Sequence, residues 1–449
     1  MLKARSGVTD VSWPAICEPV GASMLALQFQ LQQSEYWSSE QLLEQQLAQL
    51  QLLLTHAVEQ SPWYRQQAEF RLLANQNYPL SLQQFADLPR LTRSALQQNL
   101  KAITATSMPP AHGQRLELAT SGSTGTPLLG WESELNHFFW GGCNLRDQLW
   151  HQRDLTQTFA AIRTNVEHQV LPDWGSAISA SFETGPAITL NISTPVEQQL
   201  DWLMEHQPGY LLSHASNLQA LAQLSLRKGL RLNRLRAAIS FGERLPDPLR
   251  ELCAAAWQVP LQDIYSAEEV GYIALQCPQD ESNYHVMSEQ LLVEVLNANG
   301  DPCKAGQSGK VVITSLHNFA MPLIRYEIGD FARVGAACRC GRGLPVFTEI
   351  LGRARNMITL PNGHQHWPSF PADLWLSVAP IEQFQLEQTS RGQIIGHYVM
   401  AEPLNADQQQ LLTDKLAQSL KFEANIVLEH HHKPLNKPGE KFEDFISRL

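Results

Sequence analysis

The chain has no run of about 18 apolar residues, the least a bilayer-spanning helix needs, and no internal repeat. Its opening, Met1 to Asp10, is polar and lacks the apolar core of a secretory signal. Cysteine is scarce, seven in 449 residues, and the odd count suggests no disulfide framework. These absences set the cytoplasm as the expected compartment, with no membrane partner. Basic residues are outnumbered, 33 Lys and Arg against 44 Asp and Glu, and the net charge of −11 argues against nucleic acid. A kinase-type phosphate loop, G-x-x-x-x-G-K-[ST], is missing too.

What is present suits a folded, multidomain protein. Hydrophobic residues make up 43% and charged residues 17%. A chain of 449 residues is long for one core, so two or three domains are expected. Residues 1–23 read as irregular, and 24–60 as a Gln-rich helix with Leu42, Leu43, Leu47, Leu50 and Leu54 on one face. Its heptads do not persist, which favours packing on its own domain over a coiled coil.

Further on, strands expected at 158–163, 210–213, 235–241 and 261–265 alternate with helices at 194–205, 215–229 and 246–257. That alternation predicts an α/β fold with a largely parallel sheet flanked by helices. After Gly271 the texture turns β-rich, with strands expected at 290–296 and 310–315. Another shift comes near Gly352-Arg353, after which strands at 381–388 and 393–400 and a helix at 407–422 predict a small α+β unit.

Four segments carry chemistry. Thr120-Ser-Gly-Ser-Thr-Gly-Thr-Pro127 follows a strand expected at 115–119. Gly122 and Gly125 let backbone N–H groups turn to one point, and the hydroxyls of Thr120, Ser121, Ser123 and Thr124 add donors, which suits a polyphosphate. A polar surface turn is the plain alternative. Ile264-Tyr-Ser-Ala-Glu-Glu-Val-Gly271 lies at the carboxyl end of an expected strand, where open α/β sheets bind ligands. Tyr265 offers a flat face to an aromatic base, and Glu268 or Glu269 a carboxylate for Mg2+; the alternative is a pair of helix N-terminal charges. Asp330, after Gly329, could accept from both ribose hydroxyls or cap a turn. Lys441, near the end of the chain, would by itself be a solvated lysine.

Taken together and in this order, these segments resemble the adenylate-forming superfamily, in its phenylacetate–CoA ligase and coenzyme F390 synthetase-like branch. The resemblance also rests on His56-Ala-Val-Glu-Gln-Ser-Pro-Trp-Tyr-Arg65, on Ser240-Phe-Gly-Glu-Arg-Leu245, and on Asn299-Gly-Asp-Pro302 with Gly309-Lys-Val-Val-Ile-Thr314. It runs from about residue 50 to the end. It implies a large N-terminal adenylation domain, 1–352, with a zinc-stabilised β-rich subdomain near 272–350. A mobile C-terminal domain, 353–449, would pivot near Gly352-Arg353.

The resemblance implies a two-step reaction: a carboxylate attacks the α-phosphorus of ATP, and CoA then displaces AMP. Thr120 to Gly125 would be the phosphate loop, Gly242 and Glu243 a nucleotide segment, and Tyr265 an adenine-side residue. Glu269 would hold Mg2+, Asp330 the ribose, and Lys441 would serve adenylation. Arg353 would mark the hinge. An aryl or similarly compact acid is the expected substrate, and a homodimer is the branch's usual state.

The chain departs from the branch at Ser266 and Glu268, at Arg353-Ala-Arg-Asn356 (no Asp or Lys at the hinge), and at Glu443-Asp444, where relatives have two arginines. The last change leaves open an amide-forming or carrier-protein-loading ligase using an amine or carrier thiol. A third reading, of another class, is a non-catalytic, nucleotide-binding or partner-binding member, which the intact Thr120–Pro127 loop and the retained Lys441 argue against. Finally, Cys338-Arg-Cys340 presents two thiols, and Cys277 with His285 supplies a thiol and an imidazole, a set suited to tetrahedral Zn2+. Related members carry similar elements, which implies a structural zinc; buried unliganded cysteines are the alternative.

Overall fold

The computed structural model describes residues 2–119, 129–246, 248–363, 365–366, 368, 374–375, 377–381, 383–420, 422–433, 435 and 443–449. The expected phosphate-loop residues Thr120, Ser121, Gly122, Ser123, Thr124 and Gly125, and Lys441, lie outside them. The chain forms two compact units, one of Met1–Phe159, Val170–Ala187 and Asp263–Ile350, the other of Ala160–Gln169, Ile188–Gln262 and Leu351–Leu449.

In the first unit the Gln-rich segment is two helices, Pro19–Ser34 and Ser39–Gln60. The first begins inside the stretch expected to be irregular, because Pro19 sits at its opening turn, where a missing N–H costs nothing. The second starts at a capping box between Ser38 and Gln41, and it buries Leu42, Leu50, Leu53, Leu54 and Ala57. Leu50, Leu53, Leu54 and Ala57 join one core with Phe85, Ile273, Ile313 and Tyr326, all of the same unit, so this helix packs on its own domain.

Strands of this unit run in the order Leu291–Leu296, Ser308–Ser315, Tyr326–Val334, Val346–Arg353, Asp280–Val286, Gly271–Cys277 and Leu261–Ala267. Ser308–Ser315 pairs antiparallel with both of its neighbours, as does Asp280–Val286, and Gly271–Cys277 pairs antiparallel with Leu261–Ala267. Glu268 and Glu269 fall in the turn after Leu261–Ala267, not at a helix N-terminus, so the helix-dipole alternative is removed. Asp330 stands within a strand and not on a turn.

The second unit supplies the α/β alternation. Tyr210–Ser213 pairs in parallel with Ala237–Phe241, and the helix between them, Ala215–Lys228, ends on Gly229 in the left-handed region. The helix expected from 246 begins instead at Leu249, after Pro246 and Pro248. From Ile358 onward the chain has a core of its own, built on Trp375, Leu386, Ile394, Leu412, Leu416 and Phe445. There a four-stranded sheet runs Asn425–His431, Gln393–Val399, Gln383–Ser390, Phe445–Ser447, with the helix Ala406–Leu420 burying Leu412, Leu416 and Leu420. No helix among the described residues is long and apolar enough to cross a membrane.

Candidate functional site

Tyr265 lies near the carboxyl end of Leu261–Ala267, and the chain reverses at Val270-Gly271 into the antiparallel strand that follows. Gly271 has φ of +77°, a conformation that favours glycine, and a Cβ there would come 3.1 Å from the Trp140 ring, a tight contact. Tyr265 is buried, and its hydroxyl donates to Asp330 Oδ2 at 2.9 Å. The two residues are 65 positions apart and come from separately predicted motifs. A partly buried carboxylate already oriented by a phenol is pre-aimed for further hydroxyl donors.

Glu269, at the same strand end, is 6% exposed and receives the Arg93 guanidinium at 2.9 Å. Arg93 opens the helix Arg93–Ile103, which Thr92 caps by accepting from the Ala95 N–H at 3.2 Å. Arg93 itself had no sequence signal, because its partner is 176 residues away.

In the second unit, Gly242 takes φ of +75°, and Glu243 reaches the N-terminus of Ala215–Lys228. Its carboxylate accepts from the Ser216 N–H at 2.8 Å and from the Ser216 hydroxyl at 3.1 Å. A carboxylate at that position is favoured by the helix dipole and fixes the segment's conformation. At the expected hinge, Gly352 has φ of +82° and the Arg353 N–H donates to Asn356 Oδ1 at 3.1 Å.

Arg355 grips Glu443 at 2.6 and 3.1 Å. Glu443, one of the two acidic replacements, therefore has its own cation. Desolvation raises the Asp444 carboxyl above the usual range, opposed by the charge of Arg244.

The third constellation is the tightest. The ligand atoms of Cys277, His285, Cys338 and Cys340 all lie within 4.8 Å of one another. Cys277 Sγ and Cys338 Sγ are 3.8 Å apart, and Cys340 Sγ is 3.3 Å from His285 Nε2. Two thiolates about 2.3 Å from one tetrahedral zinc stand about 3.8 Å apart, and a thiolate and imidazole about 3.5 Å apart. A disulfide is ruled out for this pair of thiols, since it needs about 2.05 Å.

Cys277 and His285 are delivered by adjacent antiparallel strands, and Cys338 and Cys340 by the loop before Val346–Arg353. Burial pushes the Cys277 thiol up to about 12 and the His285 imidazole down to about 4. The loop is locked by Arg342, which lies over the Trp150 ring at 4.3 Å and pairs with Glu35 at 3.2 Å. Trp150 in turn sets its edge to His285 at 5.8 Å. Arg342 was a residue that sequence reasoning passed over, although it stands two places after Cys340 in the same motif.

No family model matches the chain. In sequence it is similar to the phenylacetate-coenzyme A ligase of Thermus thermophilus, 27% identical over 170 residues, covering 36% of this chain and 38% of that one. It is also similar to the enzymes of that name from Pseudomonas putida, 23% over 249 residues (52% and 56% of the two chains), and Escherichia coli, 23% over 375 residues (80% and 81%). The matched part thus spans less than two thirds of the first two relatives. In structure it is similar to a 2-hydroxyisobutyryl-CoA ligase in its postadenylation state with an acyl-AMP, with a TM-score of 0.71 at 16% identity over 92% of this chain and 91% of that one. The chain thus shares the fold of that acyl-CoA ligase.

Proposed function

We propose that this chain is an AMP-forming ligase that activates a carboxylic acid with ATP and passes the acyl group to CoA. The observation that carries the proposal is the Tyr265–Asp330 contact at a strand end. A nucleoside needs there an aromatic face for its base and a carboxylate for its ribose. Asp330 accepts from the ribose hydroxyls, and Tyr265 holds that carboxylate in place while its ring borders the adenine. The phosphates follow to Thr120, Ser121, Gly122, Ser123, Thr124 and Gly125, whose hydroxyls and N–H groups stabilise the charge gathering on the transferring phosphate. Lys441 serves the same charge during adenylation. Gly242 and Glu243 shape the nucleotide segment.

Glu269 would hold Mg2+, a hard cation that takes one or two carboxylates together with phosphate oxygens and offsets their charge. A buried carboxylate at the strand end fits that role, with Arg93 as its counter-charge when the ion is absent. The domain after 352 would pivot at Gly352-Arg353, where a residue with positive φ can absorb a large dihedral change. The Cys277, His285, Cys338 and Cys340 set would hold a structural Zn2+, since four protein ligands leave no open position for catalysis.

The test is pyrophosphate release from ATP and Mg2+ against a panel of aryl and short aliphatic acids, first without acceptor and then with CoA, an amine or a carrier thiol. Release that needs one acid and is stimulated by CoA is the expected result. Stimulation by an amine alone would reassign the second half-reaction. Nucleotide binding without release for any acid in the panel would count against a ligase.

A further inference from the structure

The strands Gln393–Val399 and Asn425–His431 run parallel, with His397 opposite Glu429 and Val399 opposite His431. Side chains alternate along a strand, so His397, Glu429 and His431 share one face of this sheet. The other face carries Ile394 and Tyr398 into the core of the same unit. His397 Nδ1 is 3.1 Å from His431 Nε2 and 3.4 Å from Glu429 Oε2, and the three ligand atoms lie within 4.8 Å of one another.

Two ligand atoms about 2.1 Å from a common ion stand about 3.0–3.4 Å apart for angles between tetrahedral and octahedral. On the far side of the His397 ring, Nε2 is 3.6 Å from Glu387 Oε2, and Arg448 Nε fixes Glu387 at 2.9 Å. A carboxylate beside one ring nitrogen directs the proton there and leaves the other nitrogen's lone pair for a metal.

The neighbouring histidines do not share this role. His430 Nε2 is engaged at 2.8 Å with the Met400 carbonyl, and His432 packs edge-on against His430. Of three consecutive histidines, only His431 faces His397.

We propose that His397, Glu429 and His431 form a second metal site, distinct from the cysteine cluster, that takes a divalent first-row transition ion. Two imidazoles and one carboxylate suit Zn2+, Ni2+ or Cu2+ over Mg2+ or Ca2+. Three protein ligands with Glu429 half exposed leave coordination positions to water, so the ion exchanges, unlike one in a closed four-ligand site.

The experiment is calorimetric titration of the full chain, stripped with chelator, using Zn2+ alone. Two binding events per chain are expected. Cys340→Ser should remove the tighter one. His431→Gln and Glu429→Gln should each weaken the other more than tenfold, and Glu387→Gln, which acts through the His397 ring, by roughly tenfold. His432→Gln should leave both unchanged. Glu429 is exposed, so its variant reads the site even where a histidine variant folds poorly. A weaker event that survives Glu429→Gln and His431→Gln, or that disappears with His432→Gln, would overturn the proposal. So would a single event in the wild type that Cys340→Ser abolishes.

Discussion

Arg93→Met isolates the counter-charge of Glu269, the carboxylate proposed to hold Mg2+. The Glu269 side chain is 6% exposed and that of Arg93 19%, and Arg93 Nη1 stands 2.9 Å from Glu269 Oε1. Breaking a fully buried ion pair by deleting one partner costs about 3–5 kcal/mol, because the remaining charge is stranded. Arg93 keeps a fifth of its surface in water, so solvent screening lowers the expected loss to about 2 kcal/mol. For a cooperative unit of roughly 265 residues that is a fall in Tm of about 3–4 °C.

If Glu269 carries Mg2+ in the nucleotide complex, the ion replaces the missing guanidinium. Mg2+ and ATP should then raise Tm more in Arg93→Met than in the wild type, and Arg93→Lys should stay close to wild type without ligand. Scanning calorimetry with and without Mg2+ and ATP reads all of these. A variant within roughly 1 °C of wild type would refute the stranded-charge reasoning. Equal ligand-induced shifts in variant and wild type would remove Glu269 from the metal site.

Other consequences are equally direct. Tyr265→Phe removes the hydroxyl that aims Asp330; a hydrogen bond to a charged acceptor contributes about 1.5 kcal/mol at the lower end, so KM for ATP should rise about tenfold with KM for the acid little changed. Lys441→Ala should abolish adenylate formation while ATP binding, read by calorimetry, persists. Cys338→Ser should purify without the zinc expected in the wild type and melt at lower temperature, and metal analysis with thermal unfolding checks both. Burial holds the His317 imidazole down at about 4, against an ordinary value of 6.5. The unfolded chain therefore binds the extra proton between those values, and stability drops as pH falls through 6.5 toward 4. Acidifying from about pH 7 to about pH 5 should cost on the order of 1–2 kcal/mol through this group, and His317→Gln should flatten that part of the pH–stability curve.

Local signals made much of the second unit legible. Tyr210–Ser213 stands where expected because apolar residues are bounded by turn formers, and Gly229 stops the following helix as it should. Asp280–Val286, with its polar run Asp-Glu-Ser-Asn, has no apolar alternation to betray a strand, yet it carries His285 to the cysteine cluster. The helix beginning at Pro19 was hidden by prolines and a glycine that normally break pattern.

In the site, Tyr265, Asp330 and the four Cys/His residues were readable as motifs, and contact between them is a property of strand register. Arg93 with Glu269, and Arg342 with Glu35 and Trp150, had no such signal, since each pairs residues distant in sequence. The His397–His431 pair depends on a parallel register that no spacing encodes.

The most direct measurement of the central claim is acid-dependent release of pyrophosphate from ATP by the purified chain, followed in parallel with Asp330→Ala. Release with a particular carboxylic acid, stimulation by CoA, and a large loss of both in the variant through weaker ATP binding are expected. Release from ATP that needs no acid, or that is the same in Asp330→Ala, would contradict the claim.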